Sequence, residues 1–136
     1  MRTPSQTVGP FFSFGLCNRP QSELPGGTVR VRGRVLDGED APVGDALVEV
    51  WDPAAGFGRC GTNADGEYEL LVPAGARRLE VMVFARGLLK PVLTRLYLPD
   101  AAANAEDPTM VAREEGDGLR FDVHLQGERE TAFFEL

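Results

Sequence analysis

The sequence predicts an all-β fold, an antiparallel β-sandwich with an irregular N-terminal arm. Short apolar runs alternate with period two along much of the chain, as in Tyr68, Leu70 and Val72 and again in Leu79, Val81 and Val83. Glycine- and proline-rich clusters separate these runs, with 16 glycines and 10 prolines in 136 residues. Strand, turn, strand repeated in this way is the pattern of a sandwich of paired strands.

The elements follow in order. Residues 1–26 carry Pro4, Pro10, Pro20 and Pro25 among Gly9, Gly15 and Gly26, which forbids a long helix or a central strand. Phe11, Phe12, Phe14 and Leu16 make this arm too apolar for a solvated tail, so it buries its aromatics on its own domain or on another chain. From residue 27 to 136 the chain reads as one sandwich domain. Thr28–Leu36 alternates Val29, Val31, Gly33 and Val35 against Arg30, Arg32 and Arg34, a half-exposed strand with a basic outer stripe. The stripe reads as a solvated sheet face before it reads as a binding site. A turn at 37–42 leads to the strand Leu47–Trp51, whose tryptophan, the only one in the chain, is expected in the core.

Residues 52–60 are glycine-rich and read as a compact loop. Asn63-Ala64-Asp65-Gly66 is a turn in which Gly66 can take positive φ. Arg86-Gly87-Leu88-Leu89-Lys90-Pro91 reads as a connection carrying two cations, and Val92–Leu98 as a further strand. Residues 100–115 are alanine-rich and acidic, with room for a helical turn or two around Pro108. A last strand over Leu119–Gln126 puts Leu119, Phe121, Val123 and Leu125 inside and His124 outside, and residues 131–136 close the chain with an apolar end that packs.

Composition narrows the function. A length of 136 residues fits one domain with a real core. The net charge of −7 argues against nucleic acid and against an anionic membrane surface, since both would be repelled. No run approaches the span of a transmembrane helix, and the N-terminus lacks the apolar stretch of a signal peptide. Cys17 and Cys60 lack metal or redox spacing and read as free thiols, so a cytoplasmic protein is expected.

Self-contained catalytic machinery is missing from the sequence. His124 is the only histidine, and its strand position turns it outward. There is no nucleophile elbow and no phosphate loop. Gly56 and Gly58 lack the strand–helix context of a dinucleotide site, and the carboxylates crowd into turns and the acidic loop, where solvation explains them.

Several segments, in order along the chain, nonetheless resemble one family. They are Thr3–Phe12 (TPSQTVGPFF), Gly56–Cys60 with Ala64–Gly66, Val83–Lys90 (VFARGLLK), Thr94–Tyr97, Ala103–Pro108, and Arg120–Gly127 with Glu130–Phe134. In these pieces the chain resembles the intradiol aromatic-ring dioxygenases, and within them the alpha-type subunits of the protocatechuate 3,4-dioxygenases. The resemblance implies a β-sandwich and a part in the O2-dependent cleavage of 3,4-dihydroxybenzoate to 3-carboxy-cis,cis-muconate. In that family a non-haem Fe(III) is held by two tyrosines and two histidines of a beta-type partner. The positions matching the histidine pair are Arg78 and Glu80 here, and the tyrosine-bearing loop expected after Trp51 is missing. No catalytic residue and no metal ligand are therefore expected in this chain.

By the same resemblance, Thr7, Gly9 and Pro10 of the arm and Arg86 of the Phe-Ala-Arg-Gly motif complete the substrate pocket of the beta-type subunit. Glycine permits close backbone approach, and a guanidinium suits an anionic aromatic acid. A self-packed turn at Thr7–Pro10 and interchain salt bridges at Arg86 are the structural alternatives. The chain is shorter than alpha-type subunits after Trp51, Pro73 and Pro108. Two readings stand: a pocket-completing subunit of a heteromeric dioxygenase, and a stand-alone prealbumin-like binding module, whose segment from Gly33 to Tyr68 is common in such sandwiches.

Overall fold

A computed structural model describes residues 21–135. The strands are β1 (Val29–Leu36), β2 (Leu47–Asp52), β3 (Gly56–Gly61), β4 (Glu67–Val72), β5 (Arg78–Phe84) and β6 (Val92–Tyr97), then the short β7 (Arg113–Glu115), β8 (Gly118–Arg120) and β9 (Val123–His124). Two 3-10 turns, Pro99–Asn104 and Pro108–Met110, follow β6 where helical turns were expected.

One sheet runs β4-β1-β8-β7 with β9 also on β1, and the other runs β3-β2-β5-β6. Pairing is antiparallel except where β8 and β9 join β1 in parallel. Period two governs the core as expected: Val31 and Val35 of β1, Tyr68, Leu70 and Val72 of β4, and Leu79, Val81 and Val83 of β5 are all buried between the sheets. Gly33 holds the remaining inward place on β1 because the chain after β8 crosses there. A Cβ at Gly33 would lie 1.8 Å from the Phe121 carbonyl oxygen. The Tyr68 hydroxyl donates a hydrogen bond to that same oxygen.

Residues 21–24 tie the two sheets together at their open edges. The Arg59 N–H on β3 donates to the Gln21 carbonyl at 2.8 Å, while the Leu71 N–H on β4 donates to Ser22 and the Leu24 N–H donates back to Leu71, both at 2.9 Å. Leu24 then enters the core, fully buried. Edge strands left unpaired invite association, and this segment occupies both edges.

Three expectations are corrected. The glycine-rich stretch after Trp51 is not all loop, because Gly56–Gly61 forms β3 and pairs with β2 along its length. Its Gly58 is small for a packing reason, since a Cβ there would sit 2.4 Å from the Leu24 side chain. Trp51 is not core but 48% exposed. Val48 and Val50 face inward, so alternation turns Trp51 to the outer face, opposite Phe57 of β3. The strand expected over Leu119–Gln126 breaks into β8 and β9 around Phe121, and its His124 is half-buried beside Asp40, with Nδ1 3.5 Å from the carboxylate.

The outer face of the β3-β2-β5-β6 sheet is covered unevenly. Over β6, Tyr97 packs with Ala101 and Met110 in a second small core, against Val111, Ala132 and Phe134. Over β2 and β3, Trp51 and Phe57 remain exposed.

Candidate functional site

The strand β5 places Arg78 and Glu80 two residues apart on this outer face, next to Arg95 and Tyr97 of β6, which the register sets opposite Glu80 and Arg78. Arg95 Nε donates to both Glu80 carboxylate oxygens, at 3.0 and 3.2 Å, and its other guanidinium arm pairs with Glu106. The Tyr97 hydroxyl donates to Glu106 at 2.8 Å, and Phe134 stacks under Arg95 with its centroid 4.7 Å away. Arg78 reaches Glu80 only at 3.9 Å. The Tyr97 hydroxyl, with the Arg95 guanidinium behind it, holds the Glu106 carboxyl below the usual carboxylate range.

By the family resemblance only Arg78 and Glu80 match iron ligands, the histidine pair, and with Arg95, Tyr97 and Glu106 around them they do not fit a ferric ion. Two guanidiniums repel a cation, both carboxylates are engaged by Arg95, and the phenol donates to Glu106. Among the described residues no cluster of three or more histidine, cysteine or carboxylate groups could hold a metal. The chain's own chemistry here is a closed ion-pair network.

Arg86 stands apart from that network. It follows β5 at the end opposite Arg78, about 25 Å away at strand rise. Exposed, with Gly87 at φ 89° turning the chain behind it, it lines a shallow cavity with Asp37, Asp45, Leu88 and Gln126. The structure thus brings Arg78 and Glu80 together and leaves Arg86 at the far end. Thr7, Gly9 and Pro10, and the aromatic part of the arm, lie outside the described residues. Burial holds the Cys60 thiol above its ordinary range, and its Sγ donates to the Gly61 carbonyl, so it is a poor nucleophile.

Arg95, Tyr97 and Glu106 lie in two motifs of the resemblance, but nothing in the sequence marks them as members of one network. Arg95 and Tyr97 do alternate against buried Thr94 and Leu96, which marks their shared face. The register that sets them beside Glu80 and Arg78 is fixed only by the fold.

No protein-family model matches the sequence. The chain is 33% identical over 192 residues to the protocatechuate 3,4-dioxygenase alpha chain of Burkholderia cepacia, covering 99% of this chain and 98% of that one. It is 33% identical over 193 residues to the alpha chain of the same name from Pseudomonas putida, covering 98% and 96%. Both alignments are far longer than the 136 residues here, so the relatives carry insertions that this chain lacks. Among solved structures, the dioxygenase domain of a dioxygenase carbohydrate-binding fusion from Streptomyces sp. SirexAA-E superposes with a TM-score of 0.61 at 26% identity, over 92% of this chain and 98% of that one. The hydroxyquinol 1,2-dioxygenase of Pseudomonas putida DLL-E4 superposes at 0.58 and 19% identity, over 93% and 67%, and shares the fold. Near-complete alignment at a third identity, on the sandwich of the intradiol dioxygenases, places the chain in the protocatechuate 3,4-dioxygenase alpha-chain family.

Proposed function

We propose that this chain is the alpha-type subunit of an intradiol dioxygenase that opens 3,4-dihydroxybenzoate with O2 to 3-carboxy-cis,cis-muconate. The observation that carries this reading is the 33% identity spanning nearly the whole chain and nearly the whole of its relatives. An Fe(III) held by a beta-type partner supplies the ring-opening chemistry, and this chain contributes walls and charge. The ion-paired Arg78, Glu80, Arg95 and Glu106 support that division of labour, since they are unsuited to hold the metal here. The stand-alone binding module has no observation in its favour.

In this proposal an arm within residues 1–26 meets the partner, while residues 21–24 are already bound into the sandwich that 27–136 form. Thr7, Gly9 and Pro10 line the partner's pocket, and the exposed Arg86 guanidinium meets the substrate carboxylate at long range or directly. The complex works in the cytoplasm. Among the described residues no helix is long and apolar enough to cross a membrane.

Co-expression with a beta-type subunit, followed by size-exclusion chromatography and oxygen uptake with 3,4-dihydroxybenzoate, tests the reading. Co-elution with iron colour and oxygen consumption is the expected outcome. A colourless chain eluting alone beside a fully active partner would refute it. Within the complex, Arg86→Ala is expected to raise KM about tenfold, the loss of roughly one charge-assisted contact, with iron content unchanged. An unchanged KM removes Arg86 from the pocket.

A further inference from the structure

We infer that the segment Phe11–Leu16 docks on the chain's own outer sheet face and covers Trp51 and Phe57. Among the described residues these are the exposed aromatic side chains, 48% and 39% accessible, and the register of β2 and β3 sets them opposite one another. Together they expose roughly 200 Å², a little under half of two aromatic side chains. A stable interface with a separate protein buries about 800 Å² on each side, so this patch is too small for one and matches a short segment. Over β6 the chain already covers the same face with its own residues. There the Phe134 N–H donates to the Leu93 carbonyl at 2.7 Å, and Phe134 packs against the cluster of Tyr97, Ala101 and Met110.

Residues 1–20 lie outside the described residues, and the place where they join the sandwich selects them as the cover. Residues 21–25 run along the edge of β3. The Gln21 carbonyl accepts from the Arg59 N–H at 2.8 Å, the Leu24 side chain fills the space at Gly58, and a Cβ at Gly56 would lie 3.3 Å from Pro25. The chain before Gln21 therefore starts two residues, about 7 Å, from Phe57. Leu16 is five residues from Gln21, an extended reach of about 17 Å, and Phe11 is ten, about 33 Å, enough to double back over both rings. So short a tether holds the segment at an effective concentration on the order of 1 mM, ahead of an untethered competitor.

The segment's composition fits the surface. Phe12, Phe14 and Leu16 alternate with Ser13 and Gly15, so an extended chain turns three large apolar groups to one side. Around the two rings the charges are already matched, with Arg59 bound to Glu49 at 2.9 Å and its guanidinium 5.0 Å from the Phe57 centroid. A charged occupant gains little there, whereas an aromatic one gains burial and ring contacts. Thr7, Gly9 and Pro10 precede the segment, so their proposed contact with the partner does not compete with it.

Trp51 is the only tryptophan, so its fluorescence reports on this surface directly. Acrylamide quenching is measured on the dilute full chain and on the full-length variant Phe12→Ser/Phe14→Ser/Leu16→Ser. Quenching is expected to be about threefold stronger in the variant, with emission shifted to the red, because undocking returns the indole edge to water. The sheet signal by circular dichroism should be the same in both, since the substitutions lie outside residues 21–135. The unsubstituted chain supplies a second reading that needs no variant, since its Trp51 should be quenched less when native than in urea. Equal quenching in native and unfolded chain, or in chain and variant, overturns the inference. Shielding that grows with protein concentration assigns the cover to a second copy and also overturns it. Shielding that arises only when a beta-type subunit is added overturns it too, and leaves the subunit reading above intact.

Discussion

At Tyr68 a single hydroxyl joins the two halves of one sheet. Its ring is buried and its O–H donates to the Phe121 carbonyl, at the crossing made possible by Gly33. Burial, with the nearby Asp122 charge, pushes the phenol far above its ordinary range, so it remains a donor at every pH of interest. Tyr68→Phe keeps the ring and strands a buried carbonyl. It is expected to cost about 1–3 kcal/mol, read from the midpoint of urea unfolding with the slope unchanged. A loss below the error of the extrapolation would mean that water satisfies Phe121. Leu24 acts at the same scale through shape, since its side chain fills the space that Gly58 leaves open. Leu24→Ala is expected to cost about 2–5 kcal/mol by the same measurement, because the void lies between both sheets and cannot readily collapse. A cost near zero would show that residues 21–24 are not part of the stable core.

Among the elements, the turn before β4 is built by one side chain. Asn63 Oδ1 accepts from the Asp65 and Glu67 N–H groups, each at 3.0 Å, and Gly66 closes the turn at φ 75°. Asn63→Ala removes both bonds and is expected to cost about 1 kcal/mol in thermal unfolding, with the same sheet signal by circular dichroism. The strand β6 and its cover form a second such unit. Glu106 bonds Tyr97 and Arg95 and fastens the 99–112 segment to the outer face. The folded chain holds the Glu106 carboxyl below its ordinary value of 4.5. The unfolded chain therefore binds this proton more readily, and the group's contribution is complete above about pH 4.5 and is lost as pH falls through the lower folded value. Exchange of the Ala112 amide, which donates to the Tyr97 carbonyl at 2.9 Å, should accelerate over that acid range, and Glu106→Gln should flatten the dependence. An identical profile in Glu106→Gln would assign the acid response to other groups.

For the whole molecule, the two ends of the sandwich differ in the residues that line them. One end presents Arg86, the proposed contact to a partner's substrate pocket. The other gathers Arg77 and Arg78 around an apolar cavity. Between them the outer sheet face is sealed over β6 and, among the described residues, open over Trp51 and Phe57. The 33% identity to alpha chains extends across all of this, although the relatives carry additional residues.

The sequence by itself determined the sandwich, since alternation in β1, β4 and β5 is a local property of strands buried on one face. It also determined the family, through motifs preserved in order, and the lack of a histidine pair, through composition. Only the tertiary structure decided the rest. β3 was hidden because its glycines look like loop until Leu24 occupies the space they leave. Trp51 looked like core because size and apolarity carry no direction, and only the inward placement of Val48 and Val50 turns it to solvent. The partners of Glu80 and the pairing of Arg77 with a cavity depend on register and on the convergence of three distant connections. Strand character is written in neighbours along the chain, whereas contact between strands is settled by packing across it.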